Sequence, residues 1–126
     1  MLFFECGFEL FFVVLQKNKF MNKDLPIIKL ITSLITATTS PENVILFGSY
    51  GRGDNTPNSD IDILIVQKNL KNERALTGKL YKKFLTENIT IPIDLVAVDY
   101  DKYQQLKNKN GYIYKTIAKE GQVLYG

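Results

Sequence analysis

Two carboxylates one residue apart lead into a short apolar run, and a glycine–serine pair ends the apolar run before it. Val44–Phe47 is followed by Gly48-Ser49, and Asp60-Ile61-Asp62 opens a second run, Ile61–Val66. Short apolar runs bounded by glycine and turn-forming residues predict buried strands. Side chains two positions apart on a strand point to the same face of its sheet. We therefore expect the two carboxylates to project together, beside the glycine–serine turn.

The carboxylate pair predicts a site for a divalent cation. Two carboxylates about 4 Å apart repel by roughly 1–4 kcal/mol, depending on the local dielectric, and a bridging cation removes that penalty. Mg²⁺ prefers oxygen ligands and keeps water and phosphate oxygens in its other positions. Asp60 could instead cap a turn after Ser59, but the strand that follows and the glycine–serine pair before it favour a metal site at Asp60 and Asp62.

The turn at Gly48-Ser49 predicts a phosphate-binding segment. Glycine lets the backbone approach a phosphate closely, and the Ser49 hydroxyl and the N–H groups that follow can donate to its oxygens. Arg52 lies three residues further along, within reach of the same anion, or else it is a solvated loop residue. A nucleoside triphosphate could lie across this turn and the carboxylate pair.

A third carboxylate, Asp94, stands in the apolar run Ile89–Val98. Burying a lone acid among apolar neighbours is costly unless the acid is paired or bound to a metal. If this run forms a strand beside the first two carboxylates, Asp94 becomes a third metal ligand, or the base that takes a proton from an attacking hydroxyl. The alternative is an exposed edge strand, which tolerates an acid.

Composition excludes several other kinds of site. The chain has no histidine, which removes histidine-based zinc sites and serine–histidine–aspartate catalysis. Cys6 is the single cysteine, so no internal disulfide can form, and this favours a cytoplasmic location. A net charge of +3, without a basic stripe interleaved with aromatic residues, argues against a nucleic acid partner.

Residues 1–20 are interpreted as an N-terminal extension of a single domain over residues 21–126. Leu2–Leu15 is strongly apolar but contains Glu5 and Glu9, and it is too short to span a membrane. It also lacks the basic start of a signal peptide, so no membrane contact is expected. The extension is either a translation of upstream sequence, with Met21 as the natural start, or an added element that covers an apolar surface.

The order of predicted elements indicates an α/β fold in which helices pack on a small mixed sheet. The first helix is predicted to be capped by Asp24 and to carry Pro26 in its first turn. The elements after the second strand are a helix over Asn72–Asn88, a strand over Ile89–Val98, a helix capped by Asp99 or Asp101, and a helix over Tyr112–Ala118. Gly121 is predicted to end the last helix at the C′ position.

Gly48-Ser49, ten intervening residues and Asp60-x-Asp62 resemble the signature of the polymerase-β-like nucleotidyltransferases, in particular the minimal nucleotidyltransferases (MNT). The resemblance covers nearly all of residues 21–126. Asp94 falls where the family has its third carboxylate. The family often shows Gly-Ser-x-Ala-Arg-Gly, and here Gly51 replaces the alanine while Arg52 and Gly53 keep their places.

The resemblance implies a polymerase-β-like fold and the transfer of AMP from ATP to an acceptor hydroxyl. It implies that Asp60 and Asp62 bind Mg²⁺, that Asp94 completes the metal site or helps to activate the acceptor, and that Gly48 and Ser49 hold the triphosphate. Since only 64 residues follow Asp62, the chain is expected to find its acceptor on another macromolecule.

The minimal members resemble antitoxins that act on HEPN ribonuclease toxins by adding AMP to a toxin tyrosine. We take this as the leading hypothesis, with ATP as co-substrate and the toxin as a partner in a hetero-oligomer. The alternative is a non-catalytic antitoxin that neutralises its toxin by direct binding. An enzyme that modifies nucleic acid ends is a third possibility, against which the modest charge argues.

Overall fold

The fold is built on one mixed β-sheet, and the computed structural model describes residues 21–126. The predicted extension over residues 1–20 therefore lies outside the described residues. The elements in chain order are a 3₁₀ turn (Asn22–Asp24), α1 (Pro26–Thr38), β1 (Asn43–Phe47), α2 (Gly48–Arg52), β2 (Ile61–Gln67), α3 (Glu73–Thr86), β3 (Ile93–Asp99), α4 (Tyr100–Leu106), α5 (Ile113–Glu120) and β4 (Gln122–Tyr125).

The four strands lie in the order β3-β2-β1-β4. β2 runs parallel to β3 and antiparallel to β1, and β4 pairs antiparallel with the other side of β1. A parallel pair needs a long crossover connection, and α3 supplies it between β2 and β3. The predicted small mixed sheet packed with helices is confirmed.

Helices cover both faces of the sheet, and each face has its own apolar core. On the first face, α1 buries Ile28, Ile31 and Ile35, which repeat at helical spacing, and α3 buries Leu80 and Phe84. These side chains pack on alternate strand positions of the sheet. The second core joins α4 and α5 to the intervening strand positions; its buried members are Ile45, Leu64, Val66, Val98, Tyr103 and Ile117.

Two predicted helix and strand starts are wrong. Leu25, not Asp24, occupies the N-cap of α1 and makes no side-chain cap bond, because Asp24 belongs to the preceding 3₁₀ turn. β3 begins at Ile93 rather than Ile89. The carbonyl of Pro92 accepts a hydrogen bond of 2.9 Å from the Ile61 N–H, which marks the point where pairing to β2 starts.

The last helix is ended by a glycine, but not by a left-handed one. Gly121 is the C-cap of α5 and has extended backbone angles, φ −74° and ψ 159°. A β-carbon there would lie 2.6 Å from the Ile117 carbonyl oxygen and would also overlap the Ile45 side chain. Glycine is therefore required by the closeness of the chain to β1 and α5, which differs from the C′ role predicted.

Asp99 and Asp101 were both predicted as caps of α4, and Asp99 is the one observed. Its side chain is the N-cap of α4 and accepts from the Asp101 N–H at 3.1 Å and from the Leu70 N–H at 2.9 Å. Both hydrogen bonds lower the pKa of Asp99, and the bond from the Leu70 N–H contributes more than the bond from the Asp101 N–H. They tie the end of β3 to the loop that follows β2.

The outer edge of β3 is partly closed by a side chain. The Leu95 N–H donates a hydrogen bond of 2.8 Å to the Tyr81 hydroxyl, which reaches it from α3. An edge strand otherwise presents unpaired N–H and C=O groups to solvent. Among residues 21–126, no helix combines the length and the apolar character that crossing a membrane requires.

Candidate active site

Asp62 and Asp94 are register partners on the parallel strands β2 and β3. Alternation places both on the face that carries Leu64, Val66 and Val98. Asp62 is half-buried, whereas Asp94 is exposed on the edge strand. The cost of burial expected for Asp94 therefore does not arise, but its position beside Asp62 is the one that the sequence predicted.

Asp60 lies just before β2 and is exposed, so it is not held by strand geometry. Its charge nevertheless acts on Asp62. The pKa of Asp62 is raised first by burial, then by the carboxylate of Asp94 and then by that of Asp60, while Arg52 opposes these effects. The three predicted carboxylates and Arg52 thus form one electrostatic group centred on Asp62.

Gly48 provides the space that the Asp62 carboxylate occupies. Phe47, the residue before Gly48, is the register partner of Asp62 on β1. A β-carbon at position 48 would overlap Asp62 Oδ2, and the φ angle of +65° at Gly48 is one that side-chain-bearing residues rarely adopt. Glycine is therefore required at position 48, both by the lack of space and by the backbone angle.

Ser49 and its neighbours form a short helix, α2, where the sequence predicted an open turn. The Ser49 carbonyl accepts hydrogen bonds from the N–H groups of Gly53 and Asp54, at 2.9 and 3.0 Å. Gly51 packs so closely on β1 that a β-carbon would lie 2.7 Å from the Leu46 carbonyl oxygen. The absence of the alanine common in the family pattern therefore lets α2 lie directly against the strand.

Side chains from distant parts of the chain hold α2 in place. Asn22 Nδ2 donates to the Tyr50 carbonyl and to Asn55 Oδ1, both at 2.8 Å. Gln122 Nε2, from β4, donates to the Gly51 carbonyl at 2.9 Å. The predicted phosphate-binding segment is consequently fixed to both ends of the described chain, which limits the freedom of its backbone.

Arg52 lies between acidic groups on both sides. Its Nε is 3.1 Å from Asp54 Oδ2, and its guanidinium nitrogen Nη1 is 3.9 Å from Glu120 Oε1. The hydrogen bond to Asp54 is the first cause of the raised pKa of Arg52, which also reflects the charge of Asp62. Arg52 is thus an exposed, ion-paired residue at the end of α2, and both its predicted role and the solvated alternative stay open.

An apolar cleft adjoins the glycine–serine segment, and sequence reasoning did not predict it. Its volume is about 250 Å³, and it lies between the end of β1, α2 and one side of α5. The lining residues are Phe47, Gly48, Arg52, Ile113, Thr116, Ile117 and Glu120. The four-residue spacing of Ile113 and Ile117 was the available signal, but it indicated only a packed helix face.

The donor set suits Mg²⁺, although the carboxylates do not form a complete protein cage. Within residues 21–126, no three carboxylate, cysteine or histidine side chains come close enough together to hold a metal ion. Mg²⁺ is usually held by one or two carboxylates and completed by phosphate oxygens and water. Burial first, and then the charges of Asp94 and Asp60, raise the pKa of Asp62, and a bound cation would offset the part that comes from these charges.

Residues 27–124 match the nucleotidyltransferase domain family. The chain belongs to this family. The predicted family and enzyme class are thereby confirmed, and the candidate site lies wholly within the matched residues of this nucleotidyltransferase.

Two relatives in Methanocaldococcus jannaschii are both named putative protein adenylyltransferases. The first is 35% identical to this nucleotidyltransferase over 85 residues, which are 67% of this chain and 78% of the relative. The second is 40% identical over 47 residues, which are 37% of this chain and 32% of the relative.

Two crystal structures of toxin–antitoxin proteins resemble this nucleotidyltransferase. One, a toxin–antitoxin with AMP-PNP, has 25% sequence identity and a TM-score of 0.58, with 81% of this chain and 74% of that chain covered. The other, a mutant of the toxin–antitoxin MntA–HpeT, has 22% identity and a TM-score of 0.56, with 77% and 71% covered, and it supports the fold alone.

Proposed function

We propose that this nucleotidyltransferase transfers AMP from ATP to a hydroxyl group of a partner protein toxin, with Mg²⁺, and so acts as its antitoxin. The observation that carries the proposal is the seating of Asp62, between Gly48 on one side and Asp94 on the other. A carboxylate in that position joins a phosphate-binding segment to a second acid on the neighbouring strand.

Asp60 and Asp62 would hold Mg²⁺, which when bound supplies a positive charge that offsets charge developing on the phosphates. Gly48 and Ser49 would bind the triphosphate through backbone and hydroxyl donors, and Arg52 would contact its outer phosphates. Arg52 now contacts the carboxylates of Asp54 and Glu120. On binding phosphate it would give up these contacts and pair with the phosphate, which is also an anion.

Asp94 is the candidate base because it is exposed on the edge strand, where an acceptor can reach it. The acceptor oxygen forms a bond to the α-phosphorus as the bond from that phosphorus to the bridging oxygen breaks. Pyrophosphate leaves, and the acceptor proton passes to Asp94. Asp94 can alternatively serve as a third metal ligand, as the sequence predicted.

The nature of the acceptor is inferred from the relatives. Both relatives named above are putative protein adenylyltransferases, and one similar structure is a toxin–antitoxin with AMP-PNP. The resemblance to the minimal nucleotidyltransferases supplies the finer parts of the proposal: a HEPN-type ribonuclease toxin as the partner, a tyrosine as the modified residue and a hetero-oligomer as the assembly.

The test uses the chain purified together with the product of the neighbouring gene. ATP labelled at the α-phosphate should give a covalent adduct on the partner when Mg²⁺ is present, and ATP labelled at the γ-phosphate should give none. Asp60→Asn and Asp62→Asn should abolish labelling. Asp101→Asn is the matched control, because Asp101 is an exposed acid in the first turn of α4.

A toxicity assay with the same variants separates catalysis from binding. If Asp60→Asn and Asp62→Asn still relieve toxicity, and wild type forms no adduct, the protein is a non-catalytic antitoxin and the proposal is wrong. Labelling from γ-labelled ATP would point to phosphate transfer and would equally contradict it.

A further inference from the structure

We infer that Tyr81, on α3, is a positioning residue for Asp94. Its hydroxyl accepts a hydrogen bond from the Leu95 N–H, and it thereby holds the outer side of β3 one residue after Asp94. The inference rests on the proposed function, in which Asp94 is the base or a third metal ligand. It adds to the site a side chain that no sequence motif indicated.

Asp94 stands near the beginning of an edge strand. It is the second residue of β3, and among the four strands of the described chain only β2 pairs with β3. Pairing to β2 starts with the hydrogen bond from the Ile61 N–H to the Pro92 carbonyl. Segments with few buried contacts and exposed backbone hydrogen bonds open more readily than the core does. The position of Asp94 relative to Asp62 therefore depends on what holds the outer side of β3.

The hydroxyl on that outer side comes from a rigid support. Leu80 and Phe84 flank Tyr81 on α3, and both are buried in the core on the first face of the sheet. Leu95 is buried in the same core, and its nitrogen lies 2.8 Å from the Tyr81 hydroxyl oxygen. A tyrosine side chain has only two rotatable angles, so a fixed helix leaves its hydroxyl little freedom. Tyr81 thus ties the segment of β3 that carries Asp94 to the fixed position of α3.

Loss of this bond should affect the chemical step. A displacement of about 1 Å at a reacting centre can cost roughly 100-fold in rate. Without the Tyr81 hydroxyl, the first residues of β3 are held by hydrogen bonds on the β2 side alone, and Asp94 samples a wider range of positions. The rate of transfer should then fall, although no group that contacts ATP has changed.

The test removes the hydroxyl and keeps the ring. Tyr81→Phe should lower kcat for AMP transfer to the co-purified partner by about three- to tenfold, which corresponds to the loss of one hydrogen bond. KM for ATP should stay within about twofold, because β2 separates β3 from β1 and the phosphate-binding segment. Tyr125→Phe is the matched control, since Tyr125 is a half-exposed tyrosine on β4, the opposite edge strand. This control should keep the wild-type kcat.

A double-mutant cycle shows whether Tyr81 acts through Asp94. In an Asp94→Asn background, Tyr81→Phe should change kcat by less than about twofold, because the carboxylate that it positions is absent. An equal loss of kcat in both backgrounds would indicate a general structural effect and would overturn the inference. Where Asp94→Asn has no measurable transfer, the decision falls to hydrogen exchange.

Amide hydrogen exchange gives a readout that needs no activity. Tyr81→Phe should speed exchange of the Ile61 N–H, which donates to Pro92 where the β2–β3 pairing starts, by at least about tenfold. The Glu42 N–H is the matched control, because it donates to the Val66 carbonyl near the other end of β2, and its exchange should not change. A lower kcat without faster exchange at Ile61 would mean that the hydroxyl contacts the acceptor itself, and it would overturn the inference.

Failure of the inference and failure of the proposed function give different results. If wild type forms no partner adduct, the proposed function fails, and exchange at Ile61 alone decides whether Tyr81 holds the segment of β3 around Asp94. If wild type forms the adduct and Tyr81→Phe keeps the full kcat, the proposed function stands and the inference is wrong, whatever the exchange rates are.

Discussion

The carboxylate of Asp62 lies in the space that a β-carbon at position 48 would occupy, so Gly48 and Asp62 can coexist only because Gly48 has no side chain. The two residues come from antiparallel neighbours, β1 and β2, and the contact fixes where the carboxylate stands relative to the phosphate-binding segment. A substitution of Gly48 would therefore displace the Asp62 carboxylate without altering the carboxylate itself.

Gly48→Ala should reduce AMP transfer by roughly 100-fold, because a displacement of about 1 Å at a reacting centre can cost that much. Gly53→Ala is the matched control. Gly53 also has a positive φ, of +85°, but a β-carbon there meets nothing within 4 Å. Both variants should lose about 1–2 kcal/mol of stability through backbone strain, and Gly48→Ala should lose more because its β-carbon also overlaps the Asp62 carboxylate, as measured by urea unfolding. Equal losses of activity in the two variants would contradict a specific role for the Gly48–Asp62 contact.

Asp62→Asn should raise the thermal midpoint at neutral pH in the absence of divalent cations. The folded state raises the pKa of Asp62 above its unfolded value, so it binds the proton more tightly than the unfolded chain does. Wild-type stability from this group therefore falls as pH rises through the interval between the two pKa values. The gain of the variant should shrink as pH falls through that interval and vanish below the ordinary carboxyl pKa, in melts followed by circular dichroism.

Mg²⁺ should raise the thermal midpoint of wild type, because a ligand that binds only the folded state stabilises it. The same addition should have little effect on Asp62→Asn, while Asp101→Asn should respond as wild type does. A Mg²⁺ response that survives in the Asp62 variant would place the cation elsewhere.

Arg52→Ala should raise the KM for ATP by roughly tenfold, since the variant loses a charge-assisted hydrogen bond to phosphate. The turnover number should change less than KM if Arg52 contacts the outer phosphates in the ground state. Asp54→Asn is the control, because it removes the acid bonded to Arg52 Nε and leaves the guanidinium in place. Steady-state kinetics on both variants distinguish a phosphate contact from a purely structural ion pair, for which the two variants should behave alike.

Gly121→Ala should destabilise the fold by about 1–3 kcal/mol, because its methyl group would press on the Ile117 carbonyl and on Ile45. Gly78→Ala should instead stabilise the fold. Gly78 lies inside α3 with open space around its Cα, so alanine there should add about 0.5–1 kcal/mol. Urea unfolding of both variants checks the signs, and stabilisation by Gly121→Ala would show that the chain at the end of α5 can move away from β1.

Local sequence signals predicted the parts of the site that depend on spacing along the chain. Sequence reasoning placed Asp94 beside Asp62 only on the condition that the two strands are neighbours, which they are, and the bounds of β2 differ from prediction by one residue. Asp60 was expected to share strand geometry with Asp62, but it lies one residue before β2, which begins at Ile61. Its influence on Asp62 is electrostatic.

The features that were not predicted depend on contacts between distant segments. α2 contains two glycines in five residues and has no helical signal of its own; burial of Tyr50 and the bonds from Asn22 and Gln122 hold it. β4 is only four residues long, and pairing with β1 defines it. The apolar cleft likewise exists only because α5 packs beside the end of β1.

The hydroxyl of Tyr81 has a consequence for how the proposed partner protein can approach Asp94. By accepting from the Leu95 N–H, it occupies the donor one residue beyond Asp94 on the outer side of β3. The backbone of another polypeptide therefore cannot accept a hydrogen bond from the Leu95 N–H, which hinders β-augmentation of the sheet at that point. On the proposed function, this favours recognition of the partner through its side chains at this position, and it discourages two copies of the protein from pairing edge to edge there.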